Sequence, residues 1–337
     1  MRYVQGEILT QNGFKKGYLG FEQNKIKETG KGSPPEKPVA KGIIVPTFVN
    51  AHTHLGDSFI KKKNIDLPRN VEELVAPPHG LKYKLLENAS DEEIIGGMEE
   101  SIKDMARTGI SHFCDFREGG IKGIRQLTTA MKDRRIDSVI LSRPEELEYN
   151  KKEIDLLLQR SDGIGISSIS DWEFSELKKV STLAKQKKKL FALHGSEVLR
   201  ENIDPILDLK PDFLVHMVKA TKADLLLVKD NNIPIVLCPR SNAFFGLKPN
   251  ISLMKQIGID IMLGTDNVMI NSPNILEELR FLKNNYKELS LEELCNMITY
   301  APRKALNLNC DYLVPNSLSN FVVLDRESLE PQYISTA

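Results

Sequence analysis

From Gly42 onward, short runs of β-branched and other apolar residues alternate with longer segments whose apolar positions recur at helical spacing. Eight such runs stand out, over 43–49, 109–115, 137–142, 163–169, 189–194, 212–217, 233–238 and 259–264. Between them, 91–107 places Ile94, Ile95, Met98, Ile102 and Met105 on one helical face, and 171–187 follows Ser170 as its N-terminal cap. Strands that alternate with helices are joined by crossovers, so their sheet is parallel. Eight such units predict the α/β class and a closed (β/α)8 TIM barrel.

The ends of the chain follow another rhythm. Residues 1–42 break short apolar stretches with turn residues, as in Gly17-Tyr18-Leu19-Gly20-Phe21, which predicts a few antiparallel strands. Phe321-Val322-Val323-Leu324-Asp325 reads as one more strand returning to them. The expected organisation is therefore a small, abbreviated β-sandwich-like domain built from 1–42 and 309–337, with the barrel over 43–308 between its two parts. One connection is unusually long. Residues 51–90 hold Pro77-Pro78-His79-Gly80 and exceed a plain strand-to-helix turn, so a lid or pocket wall is expected there.

Composition narrows the function. With 337 residues, 41% of them hydrophobic, the chain can bury a large core. Its 46 basic and 46 acidic residues cancel, which leaves no long-range field to steer nucleic acid or an anionic membrane surface. A small-molecule substrate is the better expectation, and a homo-oligomer is left open. The runs Lys61-Lys62-Lys63 and Lys187-Lys188-Lys189 read as solvated faces. Cys114, Cys238, Cys295 and Cys310 form no C-x-x-C pair and read as reduced core residues. The first residues lack the apolar stretch of a signal peptide, and no apolar run is long enough to span a bilayer, so a cytoplasmic location is expected.

In a barrel of this kind the active site lies at the C-terminal ends of the strands. There the sequence carries His52-Thr53-His54 after the first run, His194 after the fifth, His216 after the sixth and Asp266 after the eighth. Two histidines spaced by two point to the same side of an extended strand. Alone, that pair is more often a satisfied polar pair than a metal site. Joined by His194 and Asp266, it supplies three nitrogen ligands and one oxygen, a set suited to Zn²⁺ or Fe²⁺.

These segments resemble the amidohydrolase superfamily, and in particular its mononuclear deaminase and chlorohydrolase-like branch. Pro46-Thr47-Phe48-Val49-Asn50-Ala51-His52-Thr53-His54 resembles its first-strand motif, and His194-Gly195-Ser196-Glu197 its His-x-x-Glu. Leu263-Gly264-Thr265-Asp266 resembles its eighth-strand aspartate segment, and Cys238-Pro239-Arg240-Ser241-Asn242 its seventh-strand segment. The resemblance runs in order from about residue 40 to 310. It implies a hydrolase in which His52, His54, His194 and Asp266 hold one divalent metal, zinc with iron as the alternative.

It further implies that Asp266 takes a proton from an activated water, His216 bonds the oxygen, and Glu197 shuttles a proton to a ring nitrogen and then to the leaving amine. The implied activity is deamination of a purine- or pyrimidine-related heterocycle or nucleoside. A cyclic amide, an imidazolone or a C–Cl bond remains the alternative substrate, and a non-catalytic metal-binding barrel the alternative class. The lesser alternatives are a His216 buried and bonded to a carbonyl, and a Glu197 that is a carboxylate at a helix N-terminus.

Two-metal members carry a bridging lysine or glutamate on the third or fourth strand. Here 163–169 offers none, and Glu145 and Glu146 are poorly placed, so one ion per chain is expected. Arg117, Glu118, Arg143, Arg240 and Asn242 follow strands and are expected as substrate-binding walls, with His79 in the proline-rich loop. His112 lies within the second run and is expected in the core or on the opposite face.

Overall fold

The two rhythms become two sheets in the computed structural model, which describes residues 1–132 and 136–336. The chain begins with β1 (Arg2–Thr10), β2 (Gly13–Glu22), β3 (Lys25–Gly30) and β4 (Ala40–Pro46). Next come β5 (Phe48–His54), β6 (Ile110–Arg117), β7 (Asp137–Ser142), β8 (Gly163–Ile166), β9 (Leu190–Gly195), β10 (Phe213–His216), β11 (Ile235–Leu237), β12 (Ile261–Leu263) and β13 (Asp266–Asn267). Last are β14 (Phe321–Leu324) and β15 (Pro331–Ser335).

Strands β5 to β13 form one parallel sheet in the order β12-β11-β10-β9-β8-β7-β6-β5-β13. The two ends of that order are consecutive pieces of one segment. β12 pairs with β11, while β13, three residues on, pairs with β5 through Asp266 opposite Thr53 and Asn267 opposite His54. Between them Gly264 donates to the Leu237 carbonyl and Thr265 to that of His52. The eighth strand therefore closes the barrel by bonding first to the seventh and then to the first. A β-carbon on Gly264 would stand 2.6 Å from that of His52, so only glycine lets the two strands meet there.

The small domain is one six-stranded sheet from both ends of the chain, ordered β15-β14-β4-β1-β2-β3. Its buried cluster joins Val4, Ile8, Leu19, Phe21, Ile44 and Phe321. The run expected over 43–49 divides between the sheets. Ile43–Pro46 continue β4 and pair with β14, and the barrel begins at Phe48, so a domain boundary at residue 42 falls inside a strand. Pro46 has no N–H with which to extend a ladder, and the Thr47 N–H turns to the Asn320 carbonyl.

Inside the barrel the core alternates with period two. Val49, Ala51, Cys114, Phe116, Ala192, Phe213, Val215, Val236 and Met262 fill the interior, while neighbours such as Phe113, Phe191, Leu193, Leu214 and Leu237 face the helices. Helix Asp91–Arg107 forms as expected, with Ser90 and Glu93 in a reciprocal capping box. The expected helix over 171–187 instead spans Phe174–Gln186, because Ser168 caps a short 3-10 turn over Ile169–Asp171. Cys114, Cys238 and Cys295 are buried and Cys310 is half-buried; all four are free.

Residues 55–87 form three short helices, Leu55–Lys63, Val71–Leu74 and Leu81–Glu87. The first is buried against Asp91–Arg107, where Gly97 lets Phe59 approach. The other two lie over the strand ends, and Val71, Val75, Lys82 and Tyr83 wall a cavity there, the pocket wall of the two expected roles. No helix among the described residues is long and apolar enough to cross a membrane.

Candidate metal centre and its pocket

Parity along β5 would put either Val49 and Ala51 or His52 and His54 inside the barrel. A register shift between Asn50 and Thr53 lets both happen, by turning the strand after its core residues so that the histidines face inward. His194 follows the interior parity of Leu190 and Ala192, and Asp266 that of Met262. Asp266 and His216 adopt left-handed backbones (φ 61° and 73°), as does Ser196 (φ 45°). Such strain in non-glycine residues collects at sites where side-chain aim matters.

His52, His54, His194 and Asp266 each bring one ligand atom to within 4.8 Å of the others. His52 Nε2 lies 3.2 Å from His194 Nε2 and 3.4 Å from Asp266 Oδ1, and His54 Nε2 lies 3.6 Å from that oxygen. The tautomers can be worked out. His54 Nδ1 is 2.7 Å from Glu118 Oε1, and an ionised carboxylate only accepts, so Nδ1 carries the proton and Nε2 a lone pair. His194 Nδ1 donates in the same way to the Ile166 carbonyl at 2.8 Å. Burial lowers the pKa of all three imidazoles, that of His54 to about 3, where the Lys82 charge adds to burial. Burial alone would raise the Asp266 carboxyl, yet the His52 hydrogen bond and the charges of His216, His52 and His54 hold it well below the usual range. Neutral imidazoles beside an ionised carboxylate are the protonation state that a divalent cation needs. The donor set fits the metal that the sequence implies.

Behind His54 lies a network that sequence reasoning missed. Lys82, 2% exposed, donates to Glu118 Oε1 at 2.6 Å and to Asn267 Oδ1 at 3.0 Å, and lies 3.6 Å from Asp57. Burial opposes the charge of Glu118, but Lys82, His54 and Arg117 outweigh it and hold its pKa well below the usual range. Asp57 is pushed up by burial to about 7. Nothing in the spacing of a lone lysine in a polar loop signals this position. Glu118, expected as a wall residue, lines the adjoining cavity, and its Oε1 also fixes the ring of the candidate ligand His54. Arg117 touches the adjoining cavity but is committed to Glu118 at 2.9 Å, and lies over Gly56 with no room for a β-carbon between them.

Across the centre stands a second group. His216 Nε2 is 3.5 Å from Glu197 Oε1, and Asn242 Nδ2 lies 3.4 Å from that oxygen and 3.2 Å from His216 Nδ1. Since the carboxylate accepts, Asn242 presents its amide N–H groups to both partners. His216 Nδ1 is then the acceptor, and its proton sits on Nε2, facing Glu197. Burial raises the Glu197 pKa against the pull of His216. Glu197 stands in an irregular loop rather than at a helix N-terminus. Asn242, expected to touch substrate, holds the other two. Ser241 donates to Asp266 Oδ2 at 2.5 Å, a contact its place in the sequence motif did not reveal.

The other expected residues scatter. Arg240 is bound to Glu277 at 2.6 Å and through its N–H to Glu278 at 3.0 Å, outside the cavities described here. His79 is exposed on its turn and absent from those walls. His112 lies on β6, bonded to Ser111, away from the site as expected. Glu145 and Glu146 line a neighbouring cavity and take no part in the metal cluster. The space over the metal ligands is about 140 Å³. It shares Tyr83 and Arg143 with a cavity of about 420 Å³, and His194 and Glu197 with one of about 410 Å³ walled by Val198, Leu199, Phe245 and Leu247.

The sequence profile of the amidohydrolase family matches residues 43–336, which takes in every side chain of this centre. The chain belongs to the amidohydrolase family. An uncharacterised protein of Methanocaldococcus jannaschii is 36% identical over 328 residues, covering 90% of this chain and 85% of its own. A 5-methylthioadenosine/S-adenosylhomocysteine deaminase of Thermoanaerobacter pseudethanolicus is 28% identical over 75% of this chain and 64% of its own. Among solved structures, a zinc-bound adenosine deaminase of Xanthomonas campestris superposes with a TM-score of 0.72 at 16% identity, over 98% of this chain and 86% of that one. As a member of this metal-dependent hydrolase family, the amidohydrolase described here carries a His/His/His/Asp centre at the mouth of its barrel.

Proposed function

We propose that this amidohydrolase is a mononuclear zinc aminohydrolase that removes the exocyclic amine of a nitrogen heterocycle, converting C–NH2 and water to C=O and ammonia. The observation that carries the reading is the junction of two groups at one cavity: the neutral His/His/His donor set with Asp266, and the pair Glu197–His216 opposite it. When bound, the cation supplies Lewis acidity that brings the pKa of a water molecule towards neutrality. Asp266, kept ionised by its neighbours, accepts the proton that this water loses. His216, whose Nε2–H is set by Asn242, donates a hydrogen bond to the oxygen as it adds to the amine-bearing carbon. Glu197, with its pKa raised by burial, delivers its proton to the adjacent ring nitrogen. It then takes up the proton that the adduct's oxygen gives up as C=O forms and passes it to the departing amine, after which the proton held by Asp266 restores it. The deaminase relative and the deaminase of like fold support this choice of bond. Glu145 and Glu146 belong to neither group of converging ligand atoms among the described residues, which supports one ion, with Glu197 and His216, which converge with Asp266 in the second group, kept for proton transfer.

The test combines elemental analysis with ammonia release on aminopurines, aminopyrimidines and their nucleosides. One equivalent of zinc with ammonia production is expected, and Glu197→Gln should keep the metal while kcat falls by roughly 10²- to 10⁴-fold. Two equivalents with activity following the second would overturn the mononuclear reading. Near-normal turnover in the Glu197 variant would overturn its role as proton shuttle.

A further inference from the structure

Two side chains that reach the reacting groups leave from one short helix. Ser241 donates to Asp266, and Asn242 sets His216 and touches Glu197, both from helix Pro239–Phe244, which follows β11. Six residues are too few to hold a helix by themselves, so contacts from outside must fix this one. Its start is also poorly supplied. A helix leaves its first N–H groups without internal partners, and although Pro239 has no N–H to satisfy, Cys238 at the capping position offers no side-chain hydrogen bond to the groups that follow.

The missing acceptor comes from elsewhere in the chain. Glu278, on helix Ile275–Asn285, accepts the Arg240 N–H at Oε2, 3.0 Å away. It is fully buried and its Oε1 has no hydrogen-bond partner. The Arg240 guanidinium stands 3.6 Å from that oxygen and lies closer, at 2.6 Å, to Glu277. Burial pushes the Glu278 carboxyl up to about 8, against the pull of Arg240. An apolar side chain would fill the same space at lower cost, so what the carboxyl contributes is its bond to the backbone. Its own helix is tied to the barrel. Asn50, on the strand that carries His52 and His54, donates to the Pro273 carbonyl just before that helix at 3.3 Å.

We infer that Glu278 is a positioning residue of the reaction: its carboxyl oxygen, bonded to the Arg240 N–H, fixes the helix from which Ser241 and Asn242 aim Asp266, His216 and Glu197. Glu278 is not on the wall of the cavity over the metal ligands and acts through these two side chains. The inference rests on the deaminase reading for the reaction that is timed, but not for the position of the helix.

Glu278→Ala and Glu278→Gln test it in the zinc-loaded enzyme, by steady-state ammonia release on the heterocycle turned over, by elemental analysis and by amide hydrogen exchange over residues 240–245. Alanine removes the acceptor, while glutamine keeps an oxygen in its place and matches the shape of the neutral carboxyl. Glu278→Ala should lower kcat roughly 30- to 100-fold with KM changed less than about 3-fold, the mark of groups present but misaimed. Exchange over 240–245 should quicken by about 10-fold or more in the same variant. Glu278→Gln should recover both to within about 5-fold, as a loss of charge alone would not allow. In an Asn242→Ala background Glu278→Ala should cost markedly less, because a group that it aims is already gone. Full kcat in Glu278→Ala, a loss confined to KM, or a glutamine variant as impaired as the alanine one would each overturn the inference. Should Glu278→Ala not fold, Glu278→Met, which keeps the volume without an acceptor, takes its place. Faster exchange in that variant and not in Glu278→Gln, with no ammonia from any aminopurine or aminopyrimidine even by the unaltered enzyme, would uphold the fixed helix and overturn the deaminase reading.

Discussion

The two sides of the metal centre are built to different standards of constraint. On the first-strand side, His54, Glu118, Lys82 and Arg117 are joined by contacts of 2.6–2.9 Å, all within a few per cent of complete burial. On the other side, Glu197, His216 and Asn242 meet at 3.2–3.5 Å, and Glu197 stands in a loop whose next residues are exposed, Leu199 at 77%. A ligand-bearing side chain must stay where it is through the whole reaction, so a saturated ionic frame suits it. On the proposed reading Glu197 takes a proton from one atom and gives it to another, which needs space to move. Short bonds on the holding side and long ones on the acting side follow from these two demands.

Removing the frame tests the first half of the comparison and carries the largest effect. Lys82→Met keeps the volume but leaves Asp57 buried without its cation and Glu118 with Arg117 alone. Asp57, already pushed up to about 7, can take a proton and soften the loss, so a cost of about 3 kcal/mol is expected, the low end for a broken buried pair. Metal affinity should fall by roughly 10- to 100-fold, because the carboxylate that orients His54 is freed to turn. Denaturant unfolding and a zinc titration measure the two. Unchanged zinc affinity would show that the network holds the lid and not the metal.

The acting side should answer differently. Asn242→Ala removes the amide that sets the His216 tautomer and touches Glu197. Zinc binding should be untouched and kcat should drop on the order of 100-fold, the consequence of a misaimed donor. A fall in zinc content would instead make the two sides a single unit. Arg240→Ala should do less. Its side chain is spent on Glu277 and Glu278, so KM should not change and stability should fall by about 1 kcal/mol, which steady-state kinetics and a melting curve check. A raised KM would return Arg240 to the pocket wall.

The same contrast explains what the sequence disclosed. Barrel strands alternate so regularly with helices that seven of the eight could be marked from apolar spacing, the first run having fallen mostly on β4, and the candidate metal ligands could be named because they stand at or just beyond strand ends. What could not be read is what depends on contacts between distant segments. The bulge that turns His52 and His54 inward leaves no mark in Asn50-Ala51-His52. Lys82 is meaningful only because the lid folds it onto Glu118, 36 positions later in the chain. Arg117, Glu118 and Arg240 were each expected at the mouth because they follow strands, but position along a strand does not reveal whether an oppositely charged side chain has already claimed the group. His79 shows the limit for loops, since proximity in sequence to the lid put no imidazole in the pocket.

The smallest effect concerns how the acting side is moored. Three residues beyond Glu197, Arg200 reaches Asp224 at the start of helix Lys222–Asp230 through two bonds, of 2.7 and 2.8 Å. The Arg200 hydrogen bond, opposed by burial and helped by Thr221, lowers the Asp224 pKa to about 2 from an ordinary 3.8. A carboxyl with a depressed folded pKa stabilises the fold fully above its unfolded value, and that stability is lost as pH falls from about 4 towards 2. Asp224→Asn should therefore be less stable than the unaltered chain near pH 7, by about 1 kcal/mol once screening of the half-exposed Arg200 is allowed for. Between pH 4 and pH 2 the two unfolding curves should converge. If Arg200 moors the Glu197 loop, the variant should also show faster amide hydrogen exchange over residues 197–201 at pH 7, with zinc affinity unaltered. A constant stability gap down to pH 2 would mean that the carboxylate charge contributes nothing, and unaltered exchange would leave the loop held by Glu201 and Ser196 alone.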